Sequence, residues 1–90
     1  MRVRWSRHAL EESDRIAEYI SLDSEDAAAA LVATFRDMVE RLRHFPHSGR
    51  EGRVSGTREW IVPNTPYIIL NRVTPDAIEV ADVVHARTRR

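Results

Sequence analysis

The chain has 90 residues, enough for one domain over residues 1–90, and its 42% hydrophobic and 31% charged residues are typical of a folded protein. It contains no cysteine, which excludes disulfide bonds and zinc sites built on thiolates. Its net charge is zero, and it shows neither a secretory signal nor an apolar run of the roughly 20 residues that cross a membrane, so we expect a cytoplasmic protein that contacts no membrane.

The chain begins with a pattern that predicts a short strand and then a helix. Residues 2–5 alternate polar and apolar side chains, as strands do. Ser6 has the side chain of a helix N-cap, and apolar residues follow it at helical spacing. We therefore expect a first helix from about Arg7 to Ser21 or Leu22.

A second helix is predicted by the widest apolar face in the sequence. Asp23 and Ser24 give the start signal, and apolar residues then recur at intervals of three and four from Ala28 to Leu42. The helix should end near His44. Because the connection between the two helices is so short, they must pair as an antiparallel hairpin.

The second half of the chain predicts a loop and three strands. Residues 46–56 hold all three glycines and indicate a loop without regular structure. The ranges Thr57 to Val62, Tyr67 to Val73 and Ala77 to His85 are rich in strand-forming residues, and the connections between them are short. The expected class is α+β in the order β-α-α-β-β-β, with an antiparallel sheet packed on the N-terminal helical hairpin.

Short motifs run through nearly the whole chain in a fixed order. They are Trp5, Ala9, Ile16, Tyr19 and Ile20 in the first helix region; Leu42, Pro46, Gly49, Arg50, Gly52, Val54 and residues 56–59 around the loop; residues 66–69 at a strand start; and residues 83–87 in the last strand. Together they resemble the RelE/ParE superfamily of toxins from type II toxin–antitoxin systems, and the ParE branch more than the RelE branch.

This resemblance implies a RelE-like fold and a cognate antitoxin that neutralises the toxin, with operator DNA contacted only through the antitoxin. ParE-type members inhibit DNA gyrase, whereas RelE-type members cut mRNA in the ribosome. We expect a gyrase-binding toxin without a cofactor or a metal. Two alternatives stay open, namely a metal-independent, ribosome-dependent endoribonuclease and an inactive relative that only binds its antitoxin.

The residues needed for RNA cleavage decide between the branches. Cleavage without a metal needs a base, an acid and cations near one phosphate. RelE-type members carry an arginine where this chain has Ile68, and often a tyrosine near the C-terminus, where this chain ends in two arginines. The remaining candidates for a catalytic set are Arg58, Glu59, His85 and Arg87. Since Arg58 and Glu59 are consecutive in a strand, they point to opposite faces, which favours a binding toxin.

Candidate contact residues come from the basic side chains and one aromatic residue. All 14 basic residues are arginine, whose planar guanidinium suits carboxylate and phosphate groups. Trp60 is either an anchor for the antitoxin or part of the core. The two histidines at 44 and 47 have no clustered partners and do not predict a metal site. The candidate target-binding residues are Arg50, Arg53, Arg58, His85, Arg87, Arg89 and Arg90.

Overall fold

The computed structural model describes residues 1–87, and within them it has two helices and a five-stranded sheet. The predicted α+β class and the order of the main elements are confirmed. None of the helices in this part of the chain has the length and apolar character of a membrane span. The elements are β1 (Arg2–Trp5), α1 (Arg7–Ser21), α2 (Glu25–His44), β2 (Arg50–Glu51), β3 (Thr57–Ile61), β4 (Tyr67–Val73) and β5 (Ala77–His85).

Serine side chains fix the starts of both helices. Ser6 Oγ accepts a hydrogen bond from the backbone N–H of Ala9, and Ser24 Oγ accepts one from Ala27, each at 3.0 Å. Such caps stabilise a helix by about 1 kcal/mol each. Ser6 Oγ also donates to the carbonyl of Ala81 in β5 at 3.0 Å, so the first cap ties α1 to the sheet as well.

The sheet is mixed, whereas the sequence predicted an antiparallel one. Its order is β1-β5-β4-β3-β2, and β1 lies parallel to β5 while the other neighbouring strands are antiparallel. Parallel neighbours need a long connection. The helical hairpin and the meander supply it, since they bring β5 back beside β1 in the same direction.

The loop at residues 46–56 contains a short strand, so the prediction of an entirely irregular loop is wrong at two residues. Arg50 lies opposite Glu59 of β3, and Glu51 lies opposite Arg58. The Arg50 side chain also binds the Glu59 side chain, as described below, and this contact holds the loop against β3. This adds β2 at the edge of the sheet.

The core lies between α2 and one face of the sheet. Phe35 of α2 is 2% exposed and packs in one cluster with Ile69, Val80 and Val83 from the central strands. Trp60 is half-buried and packs against the same cluster. This contact agrees with its predicted role as part of the core. The α2 face that the sequence predicted is therefore the buried face.

A polar side chain without a hydrogen bond to the described residues is buried in β4. Asn71 of β4 is 0% exposed, and its amide nitrogen and oxygen make no hydrogen bond to any described residue. It lies beside the irregularity in the pairing of β4 with β5. Burial of a side-chain amide without hydrogen bonds lowers the stability of the fold. Asn71 therefore destabilises β4, although other side chains of this strand belong to the core.

Candidate target-binding surfaces

A buried carboxylate holds the loop against the sheet. Glu59 is 4% exposed, and its Oε1 atom accepts hydrogen bonds from Arg50 Nε at 3.3 Å and Arg50 Nη2 at 3.1 Å. Its Oε2 atom accepts from the backbone N–H of Arg53 at 3.4 Å. These bonds span the loop, so Glu59 acts as a fixed point for residues 50–53.

The neighbouring arginine performs a similar task on the other side of the strand. Arg58 Nη1 donates to the carbonyl oxygens of His47 at 3.0 Å and Gly49 at 2.7 Å. The backbones approach so closely here that a Cβ atom on Gly49 would lie 2.9 Å from the Glu59 carbonyl oxygen. The guanidinium of Arg58 is thereby committed to the loop backbone, and the glycine is required by space.

Aromatic contacts position His85 at the end of β5. It lies opposite Tyr67, and the two rings meet edge to face with centroids 5.5 Å apart. Tyr67 in turn meets Phe35 of α2 edge to face at 6.3 Å. The backbone N–H of Arg87 donates to His85 Nδ1 at 3.1 Å. The His85 ring is therefore anchored to the core from one side and to the chain end from the other.

The structure does not bring the four nuclease candidates together. Trp60 packs on the core, so Glu59, its neighbour in the strand, points to the opposite face of the sheet. His85 contacts Tyr67 and thus points to the helix-covered face. Glu59 and His85 cannot line one pocket in this arrangement.

Arg58 is also remote from His85, although both point to the helix-covered face. Arg58 lies opposite Asn71, whereas His85 lies opposite Tyr67, four residues earlier in β4. Standard strand geometry places their Cα atoms about 13 Å apart along the strands and about 10 Å apart across them, or about 16 Å in total. Within the described residues, Arg87 is the member of the set that stays near His85.

A shallow groove of about 530 Å³ lies beside His85, between α1 and the ends of β4 and β5. The sequence pointed to two of its residues, His85 and Arg87, and missed two others. Arg15 and Tyr19 are four residues apart on α1, a spacing that places side chains on one helix face. That spacing was visible, but only the packing of α1 across β5 brings them to the strand end. The groove is lined by Arg15, Ile16, Tyr19, Tyr67, His85 and Arg87.

The other predicted contact residues occupy two regions. Arg53 and Arg87 are exposed, and Arg50 is exposed along its side chain while it binds Glu59. Arg89 and Arg90 lie outside the described residues. Among residues 1–87, no group of three histidine, aspartate or glutamate side chains is placed to hold a metal ion.

Comparisons with known proteins agree with this architecture. The sequence matches, over residues 3–90, the family described as the ParE toxin of type II toxin–antitoxin system, parDE. It is 44% identical over 85 residues to a Sinorhizobium fredii protein named "Putative toxin Y4kP", covering 94% of this chain and 88% of that protein. The fold is similar to a solved structure described as "Chromosomal ParDE TA system from P. aeruginosa", with a TM-score of 0.84 and 24% identity over 94% of this chain and 95% of that chain.

Proposed function

The chain belongs to the ParE toxin family of type II toxin–antitoxin systems, and we propose that it acts in the cytoplasm by binding DNA gyrase and is neutralised by a cognate antitoxin. This activity is that of a binding protein. It needs no catalytic set, and it requires only surfaces that recognise the target and the antitoxin.

The separation of Glu59 from His85 carries the choice of gyrase binding over RNA cleavage. A carboxylate base and an imidazole acid must reach the same phosphate. Here the two side chains point to opposite faces of the sheet, and the carboxylate is bound to Arg50. Among the described candidates, Arg50 and Arg53 of the loop and Arg87 after β5 are exposed, and their guanidinium groups suit contact with a macromolecule.

Parallel reactions test this proposal. Purified protein is titrated into a gyrase supercoiling reaction and into an in vitro translation reaction. We expect loss of supercoiling with accumulation of cleaved DNA, while the mRNA stays intact. Intact gyrase activity together with mRNA cut in the ribosome would contradict the proposal and favour the nuclease. Intact gyrase and intact mRNA would favour an inactive relative that only binds its antitoxin.

The antitoxin is proposed to dock on the outer side of the helical hairpin. A groove of about 500 Å³ runs between α1 and α2, and small apolar side chains line most of it. Leu22, at the turn between the helices, is 82% exposed. An apolar face of a partner helix or extended segment fits such a groove. The apolar lining residues are Ala17, Ala28, Ala29, Val32 and Ala33.

Replacing Ala33 with arginine should block this docking. Ala33 is exposed and lines the groove, so the long charged side chain fills the space while the fold stays intact. We expect the affinity for the antitoxin to fall at least about tenfold, equivalent to about 1.4 kcal/mol, in isothermal titration calorimetry. Ala30→Arg is the matched control, because Ala30 is exposed on the same helix and does not line this groove. Equal affinity of Ala33→Arg and the unmodified protein would place the antitoxin elsewhere.

A further inference from the structure

The groove beside His85 has an unusual combination of side chains. Three of its six lining residues carry aromatic rings and two carry guanidinium groups, and none of these described lining residues is a carboxylate. Tyr19 is 71% exposed and presents its ring to solvent. The His85 ring is half-buried and held in place by an edge-to-face contact with Tyr67. The lining therefore offers flat ring surfaces together with positive charge.

The two guanidinium groups are accessible. Arg87 is exposed at the end of the described chain. Arg15 binds Glu12 at 3.3 Å, but its side chain is 72% exposed, and surface ion pairs of this kind contribute little. A competing anion can therefore displace Glu12 from Arg15. Phosphate is a suitable competitor, because arginine binds its oxygens with two parallel hydrogen bonds.

We propose that this groove binds single-stranded nucleic acid, with a base against Tyr19 and His85 and the adjoining phosphates against Arg15 and Arg87. Aromatic rings beside a basic groove are the recurring solution for single strands, since every base has a face that stacks. An acidic peptide would use the two arginines but leave the rings without a role. The volume of about 530 Å³ lies within the range of small-ligand sites.

The anchoring of His85 supports a binding role for its ring. The ring is fixed by the edge contact with Tyr67 and by the hydrogen bond from the Arg87 backbone. A ring that is already ordered loses little freedom when a base stacks on it, which favours binding. The same hydrogen bond keeps the Arg87 backbone next to the His85 ring, where the phosphate of a stacked nucleotide would lie.

The inference deepens the proposed function, on which it rests for its biological source. A toxin bound to gyrase lies close to the DNA that gyrase cleaves, so single-stranded DNA is the expected ligand. Single-stranded RNA offers the same base and phosphate chemistry. The two sources are separated by comparing a DNA oligonucleotide with an RNA oligonucleotide of matched length.

Fluorescence anisotropy with labelled oligothymidylate and oligouridylate tests the site on the full chain without gyrase. Tyr19→Ala should weaken binding about tenfold and leave the salt dependence unchanged, since stacking is lost but no charge is. Arg87→Ala should weaken binding and lower the slope of log K against log salt by about 0.7, the value for one lost phosphate contact on a single strand. Tighter binding of oligothymidylate would identify DNA as the source, and tighter binding of oligouridylate would identify RNA.

Two exposed residues give matched controls, one in the last turn of α2 and one directly after it. Phe45 is 66% exposed and Arg41 is exposed, and neither lines the groove. Phe45→Ala and Arg41→Ala should bind as the unmodified protein does. Labelled polyglutamate in the same assay represents an acidic peptide. The proposal is overturned if neither oligonucleotide binds at low salt, if the control variants weaken binding as much as the groove variants, or if polyglutamate binds while the oligonucleotides do not. Because gyrase is absent from this assay, its failure leaves the supercoiling result standing on its own.

Discussion

Replacing Glu59 with alanine is expected to lower the free energy of unfolding by about 2–3 kcal/mol. Glu59 is 4% exposed and accepts hydrogen bonds from the Arg50 side chain and the Arg53 backbone. Removal of the carboxylate takes these contacts away, while the pairing of β2 with β3 and the Arg58 bonds to the loop backbone remain. The cost lies below that of a fully buried pair because the Arg50 side chain is 59% exposed and regains water. Urea denaturation followed by circular dichroism measures the loss.

A double-mutant cycle shows whether the ion pair is the cause. Arg50→Ala leaves the buried carboxylate with fewer donors and should also destabilise the protein. The double variant should then lose less than the sum of the two, with a coupling of about 1–3 kcal/mol. Additive losses would mean that Glu59 stabilises the loop by some other contact.

The isosteric variant Glu59→Gln separates a structural role from a catalytic one. Glutamine keeps an acceptor oxygen but removes the charge, so we expect a lower free energy of unfolding. Growth inhibition should decrease only in proportion to the loss of folded protein. A catalytic base would behave differently. It would lose all mRNA cleavage in Glu59→Gln while the free energy of unfolding stayed the same, and that pattern would overturn the assignment of Glu59 as a fixed point for the loop.

The burial of Glu59 also shows where local sequence patterns stop being informative. The strand containing Glu59 was predicted from its own residues, because β-forming side chains and a following proline define it. The burial of the carboxylate depends on Arg50, nine residues earlier, folding back as β2. The residues next to Glu59 in the sequence do not indicate that its carboxylate is buried. Local patterns predict elements, whereas this contact is set by the path of the loop.

The helices were predictable because their signals are local. Ser6 and Ser24 cap the two helices at the predicted positions, and the apolar face of α2 is the face that is buried. The partner of β1 was not predictable in this way. The residues of β1 indicate a strand but carry no information about its neighbour, so the parallel pairing with β5 appeared only when the whole chain was arranged.

The groove beside His85 contains residues that local sequence patterns predict and residues that they do not. His85 and Arg87 were candidates from the sequence because they end the last strand with ionisable side chains. Arg15 and Tyr19 were not, because α1 has no local feature that indicates which strand its exposed face borders. Asn71 is similar, since a polar residue in the middle of β4 suggests exposure and is instead 0% exposed.

Replacing Phe35 with alanine is expected to have the largest effect on stability, a loss of about 3–5 kcal/mol. Phe35 is 2% exposed, and its ring packs in the core and meets Tyr67 edge to face. A domain of this length has roughly 5–13 kcal/mol of stability in total. The variant should therefore melt at a clearly lower temperature than the unmodified protein. Thermal denaturation measures the change. Phe45→Ala is the matched control, because Phe45 is 66% exposed and its loss should cost less than about 0.5 kcal/mol.

The antitoxin should offset most of the loss in Phe35→Ala. A ligand that binds only the folded state contributes about 2.7 kcal/mol when its free concentration is a hundredfold above Kd. If the antitoxin covers the outer groove of the hairpin, its site on α2 lies away from the buried Phe35 ring, and the variant should still bind it. Adding antitoxin should therefore restore most of the folded signal. If the variant stays unfolded at saturating antitoxin, binding of the antitoxin depends on the packing around Phe35. The docking surface would then extend beyond the hairpin groove.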